Sequence, residues 1–199
     1  ILLITAGTRG DVEPFAALAR RALEAGHTVR LGVPDNSGTD LDGLDAASLD
    51  TDFRPLIESQ GISPLLALRA FRTHIRAAMS RMLHRALRLI VDWGPDVVLA
   101  HPKVLNAPLG AAHVGVPCYW VETVPAWTPT REFPAPGIPW SGPGPVNRLT
   151  YRLAQAAGSA FRREVDEATR AAGLVPAPVP PPAGSFVPAS PHLLARPRD

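Results

Sequence analysis

The chain has a single cysteine, Cys118, among 199 residues, so no disulfide can close within it, and a reducing, cytoplasmic setting is expected. No apolar run approaches the roughly 18–20 residues that a membrane-spanning helix needs. The formal charge of +2 is too small to argue for a nucleic-acid partner. No methionine, basic leader or small-residue cleavage site precedes the opening "ILLIT", so no signal peptide is expected. The chain starts inside what reads as a first strand, the expectation for a piece of a longer protein.

Several common chemical signatures are missing as well. The glycines after the first strand, Gly7 and Gly10, do not make the G-x-G-x-x-G dinucleotide fingerprint, and no P-loop lysine motif or G-x-S-x-G elbow occurs. His27, His74, His84, His101, His113 and His192 form no H-x-x-x-H pair and have no cysteine partners, so no metal site is expected. A generic nucleotide-binding α/β enzyme therefore rests on the strand–helix pattern alone.

What is present is alternation. "ILLIT", a glycine loop, "VEPFAALARRALEAGH" with apolar residues at helical spacing, and "HTVRLGV" make a βαβ unit, which implies a parallel sheet. Asp11 is read as the cap of a helix beginning near Val12, with Pro14 in its first turn. Residues 35–52 hold six aspartates and no cation, and read as a solvated loop of marginal order. "FRPLIESQGIS" predicts a short helix and an edge strand. A long helix is predicted from Pro64 to Trp93, with Leu68, Phe71, Ile75, Met79, Met82, Ala86 and Ile90 as its core stripe. Its arginines, 69, 72, 76, 81, 85 and 88, could offer a weak contact to anionic lipid.

"GPDVVLAHP", "KVLNAPLGAAHVG" and "VPCYWVE" continue as strand, helix, strand, giving strands near 1–5, 27–33, 96–101 and 117–122. Residues 123–145 carry seven prolines with Trp127, Phe133 and Trp140, a loop too aromatic for a linker and placed where open parallel sheets bind ligands. A helical stretch from Val146 to Gly173 follows, with a break near Gly158. Eight prolines in the last 24 residues read as an exit segment, so we divide the chain into an α/β domain over 1–175 and an extension over 176–199.

"GTRGDVEPFAALARRALEAGHTVRLGVP" resembles the opening of the amino-terminal domain of GT-B glycosyltransferases, in the branch of sterol glucosyltransferases and enzymes that glycosylate antibiotic aglycones. "GPDVVLAHP", "PAWTPTREFPAPG" with "NRLTYRL", and "SPHLLARPRD" agree in the same order. Residues 35–64 match poorly and look contracted. The resemblance implies the Rossmann-like, acceptor-side half of a GT-B fold, with the second, sugar-nucleotide domain outside this chain. It implies Asp11 as general base, with amides at Thr8, Arg9 and Gly10 facing the donor phosphates. Pro125, Trp127, Thr128, Phe133 and Trp140 would wall an apolar acceptor, with His101 on the cleft side. No cofactor is expected on this half; a UDP-sugar, UDP-glucose in the first instance, would be co-substrate of the whole enzyme, and this half alone would be inactive. The competing expectation is a non-catalytic module that binds an apolar ligand or recruits a separate catalytic subunit.

Overall fold

The computed structural model describes residues 1–54, 75–123, 128–135, 138 and 140–186. Six strands, all parallel, form one sheet in the order β3-β2-β1-β4-β5-β6. They are β1 (Leu2–Ile4), β2 (Arg30–Val33), β3 (Ala46–Ser48), β4 (Val98–Ala100), β5 (Cys118–Val121) and β6 (Gly184–Phe186). The helices are α1 (Arg9–Glu24), α2 (Arg76–Trp93), α3 (Ala107–Val114), α4 (Gly144–Ser159) and α5 (Arg162–Ala171).

The period of two along β1 explains the layering. Leu2 and Ile4 enter a core with α2, α3 and α5, through Met82, Ile90, Ala111 and Val165. Leu3 points the other way, into a core with Val12, Phe15, Ala16 and Ala19 of α1. A short central strand that is apolar on both faces needs helices above and below. This is the Rossmann-like arrangement expected of the amino-terminal half of a GT-B fold, and the four anticipated strands are present.

Three local readings are corrected. Helix α1 begins at Arg9, with Thr8 in the N-cap position and Asp11 in the third helical position, so Pro14 falls in its second turn. The aspartate-rich segment is not merely a solvated loop. It carries β3, holds Leu49 fully buried, and is latched to α2, because Arg81 donates to the Asp50 carbonyl and Arg85 pairs with the Asp50 carboxylate. The proline-rich exit contributes β6, anchored where the Ala183 amide donates to the Cys118 carbonyl at 2.7 Å. The break near Gly158 is present as the α4–α5 junction. The short helix and edge strand read in 53–63 fall mostly outside the described residues.

The solvent-facing arginines of α2 reach across to neighbouring segments. Arg76 grips Glu164 of α5 and Arg88 reaches the Ala171 carbonyl, while Arg81 and Arg85 hold Asp50. These four arginines knit elements together; Arg69 and Arg72 lie outside the described residues. No described helix is long and apolar enough to cross a membrane.

Candidate active site at the carboxyl edge of the sheet

Chemistry-bearing side chains gather just past the ends of β1, β4 and β5, because in a parallel sheet every strand leaves at the same edge. Gly7 makes the turn out of β1 with φ of +133°, and a Cβ there would overlap the Asp11 carboxylate. The glycine thus lets the carboxylate fold back over the turn, where it accepts the Thr8 amide at 3.2 Å. The Thr5 hydroxyl donates to the Asp11 carbonyl at 2.9 Å and fixes the backbone beneath it.

Three further donors reach Asp11 from distant segments. His101 Nε2 lies 3.4 Å from Oδ1, the Thr123 hydroxyl donates to Oδ1 at 3.3 Å, and Lys103 Nζ lies 3.1 Å from Oδ2. The tautomer of His101 follows from its neighbour. The Lys103 amide donates to Nδ1 at 3.1 Å, so that nitrogen is bare and the ring proton sits on Nε2, facing Asp11.

Burial opposes charge on both groups, with different results. It tends to raise the Asp11 carboxyl, but the His101 hydrogen bond and the Lys103 charge outweigh it and hold the carboxyl well below the usual carboxylate range. Burial dominates for His101 and pushes its imidazole below its ordinary value despite Asp11 alongside. The ground state is therefore a carboxylate steadied by a neutral imidazole. Asp11 keeps 20 % of its side chain exposed against 7 % for His101, so an incoming hydroxyl reaches the carboxylate more readily than the ring.

Glu122 is buried at the end of β5 and accepts the Thr128 hydroxyl at 2.6 Å and the Thr128 amide at 3.2 Å. This pins the returning end of the loop near the Thr123 that touches Asp11. Phe133 and Trp140 are exposed; the Phe133 carbonyl accepts the Tyr151 hydroxyl at 3.4 Å. Pro125 and Trp127 lie outside the described residues. Arg9 and Gly10 form the first turn of α1, where amides have no intrahelical acceptor, whereas the Thr8 amide is engaged by Asp11. Among the described residues, no group of three or more His, Cys, Asp or Glu side chains could hold a metal ion. Burial pushes the Cys118 thiol up to about 12, which leaves it unreactive.

Lys103, Thr123 and Glu122 were not anticipated from the sequence. One signal could have found Lys103: it is the chain's only lysine beside 19 arginines, and it follows a strand's carboxyl end.

Comparison with known proteins places this edge in context. Residues 1–115 match the glycosyltransferase family 28 N-terminal domain. Two sterol 3-beta-glucosyltransferases of Arabidopsis thaliana are 32 % and 28 % identical, over 68 % and 100 % of this chain. The chain spans only 24 % and 34 % of their lengths. Among solved structures, the Streptomyces sp. SF2575 glycosyltransferase SsfS6 superposes with a TM-score of 0.54 at 22 % identity, over 96 % of this chain and 51 % of that one. The calicheamicin glycosyltransferase CalG4 gives 0.58 at 15 % identity, over 94 % and 47 %. The match over residues 1–115, with the parallel sheet and its loop-borne polar edge, shows that the chain belongs to glycosyltransferase family 28, whose N-terminal domain it carries.

Proposed function

We propose that this chain is the acceptor-side domain of an inverting glycosyltransferase that moves a hexose from a UDP-sugar to a hydroxyl of a hydrophobic acceptor, a sterol, lipid or polyketide-like aglycone. The observation that carries the reading is the convergence of four donors from three strand ends on Asp11. Family membership and the sterol glucosyltransferase names of the Arabidopsis relatives support the substrate class.

In this reading Asp11 is the general base. An acceptor hydroxyl becomes acidic only as its oxygen bonds to the anomeric carbon and the diphosphate departs. A carboxylate this strongly stabilised takes the proton late in that step. His101, donating through Nε2, holds the carboxylate's orientation and charge. Lys103 is an exposed point charge that can leave Oδ2 as the anionic donor enters, which makes Asp11 more basic when the substrate is present. The first-turn amides of Arg9 and Gly10 would face the donor phosphates. The aromatic loop, including Pro125, Trp127, Thr128, Phe133 and Trp140, would cover the acceptor. UDP-glucose is the donor to test first, with the thymidine diphosphate named in a complex of SsfS6 as the alternative nucleotide.

The test is transfer by the full-length protein that contains this chain. Asp11→Asn should lower turnover on the order of 10²–10⁴-fold with acceptor and donor saturating. Near wild-type turnover in that variant would remove Asp11 as the base. The 199-residue chain alone should transfer nothing and bind UDP-glucose weakly in a calorimetric titration.

A further inference from the structure

We propose that the cleft between residues 129–131 and the outer face of α4 is a binding site for a phosphoryl anion. The open space is about 530 Å³ and is lined by Pro129, Arg131, Pro145, Arg148, Leu149 and Arg152. Three arginines line it, and no carboxylate does. None of the three takes part in an ion pair among the described residues, unlike Arg76 and Arg85 of α2. No Asp or Glu occurs between Phe133 and Arg163, so α4 offers no acid of its own; Glu132 is the nearest in sequence. Like charges gathered without a counter-ion repel one another, and a phosphoryl group with several acceptor oxygens is the ligand that planar guanidinium forks fit.

The cleft is built rather than incidental. Asn147 is buried, donates to the Arg131 carbonyl at 3.1 Å and accepts the Gly142 amide at 2.8 Å, which clamps the segment bearing Arg131 onto α4. Gly144 lets the Arg131 side chain lie against the start of the helix, since a Cβ there would stand 3.1 Å from the Arg131 Cβ. Asn147, Thr150 and Tyr151 face inward, so Arg148 and Arg152 are turned outward by helical geometry. The same turn exposes Leu149 and Leu153, at 53 % and 64 %. Arginines beside bare leucines suit an amphiphile whose phosphoryl head enters the cleft while its tail lies along α4. The inference uses none of the residues around Asp11, although Pro129 and Arg131 belong to the loop proposed to cover the acceptor.

Two sources can supply the group, a lipid headgroup or a soluble phosphate, and two probes separate them. The full-length protein that contains this chain is co-sedimented with phosphatidylcholine vesicles with and without phosphatidylglycerol, and inorganic phosphate is titrated both directly and as competitor. The expected result is binding to the anionic vesicles only, displaced by phosphate, with Arg148→Gln/Arg152→Gln weakening it by about 10–30-fold. Arg21→Gln/Arg163→Gln, which removes the same charge elsewhere, should change it less than about twofold. Arg131→Gln serves as a second variant if the double one melts early. Phosphate binding without vesicle binding keeps the site and assigns it a soluble ligand. Vesicle binding that phosphate does not displace, equal losses in both double variants, or no binding of either probe would overturn the proposal.

Discussion

Glu164 takes both its oxygens to one guanidinium, at 2.6 and 3.2 Å from Arg76, whereas Asp11 shares its oxygens among an ammonium, an imidazole, a hydroxyl and an amide at 3.1–3.4 Å. Arg76 also donates to the Ala160 carbonyl, so one side chain ties α2 to the α4–α5 junction. A planar fork matched to both carboxylate oxygens fixes distance and orientation together. Single contacts from separate segments do neither, and each can be exchanged without undoing the others. Both carboxyls are held below their usual range, Glu164 chiefly by the Arg76 hydrogen bond. A lowered carboxyl alone therefore does not distinguish a fastening from a reactive group; the kind of cation and its freedom to leave do.

The comparison breaks most visibly if the two carboxylates are exchanged as readouts. In the full-length protein, Glu164→Gln should leave turnover within about twofold while the thermal midpoint falls by roughly 2–8 °C. Asp11→Asn should lower turnover by orders of magnitude, with some loss of stability as well, since the ionised carboxylate also contributes to folding. Loss of turnover in both variants would mean that the α2–α5 clamp also shapes the site.

Gly7→Ala acts on Asp11 without touching its charge. The added methyl collides with the carboxylate and also strains a backbone at positive φ. Turnover should fall on the order of 10²-fold, with about 1–3 kcal/mol of stability lost. Normal turnover in Gly7→Ala would show that the carboxylate works from another position.

The pH dependence sharpens the electrostatic half of the comparison. His101 is held neutral in the folded chain, while the unfolded chain takes up the proton near the ordinary value of 6.5. Below that pH the unfolded state binds more protons, so the His101 contribution, full above 6.5, declines as pH falls toward the lowered folded value. Asp11 contributes in the same direction further down, since its stabilisation is full above 3.8 and is lost as pH drops through its lower folded value. Chemical denaturation of the 199-residue chain at several pH values should show the first decline beginning near pH 6.5, and His101→Gln should remove it. An unchanged profile in that variant would assign the decline to other groups.

The smallest expected effect belongs to Lys103. Lys103→Met removes a charge that lowers the Asp11 carboxyl in the free enzyme, so the acid limb of the kcat/KM profile should move to higher pH, by less than about one unit. An acid limb that does not move would separate Lys103 from Asp11 in the working enzyme.

Much of the scaffold was legible because its cause is local. Leu2 to Ile4, Leu31 to Val33, Val98 to Ala100 and Cys118 to Val121 are short apolar runs bounded by turn chemistry, and α1 and α2 carry helical stripes. Asp11 stood out because it follows a glycine turn at a strand end. What escaped depends on distance in the chain. Strand β3 is three small residues among aspartates, ordered by Arg81 and Arg85 of a helix that comes later. Strand β6 is equally short and follows a proline run, and it is defined by pairing to Tyr119–Val121. Asp11 was read as a cap because a capping aspartate and one at the third helical position look alike in sequence. The meeting of Lys103 and Thr123 with Asp11 depends on the sheet order, which no local pattern encodes.

That order also sets a schedule for synthesis. Leu3 pairs with Leu31 on one side and with Leu99 on the other, so the middle strand is made before both neighbours and stays half-partnered until β4 emerges. At roughly 5–20 residues per second the ribosome leaves this apolar edge open for about 5–20 s. A nascent βαβ unit with a bare strand edge is a template for wrong pairing, and demand for chaperones should peak in that interval. His101 and Lys103 arrive just behind the strand that closes the gap, so Asp11 gains its partners only as the edge is sealed.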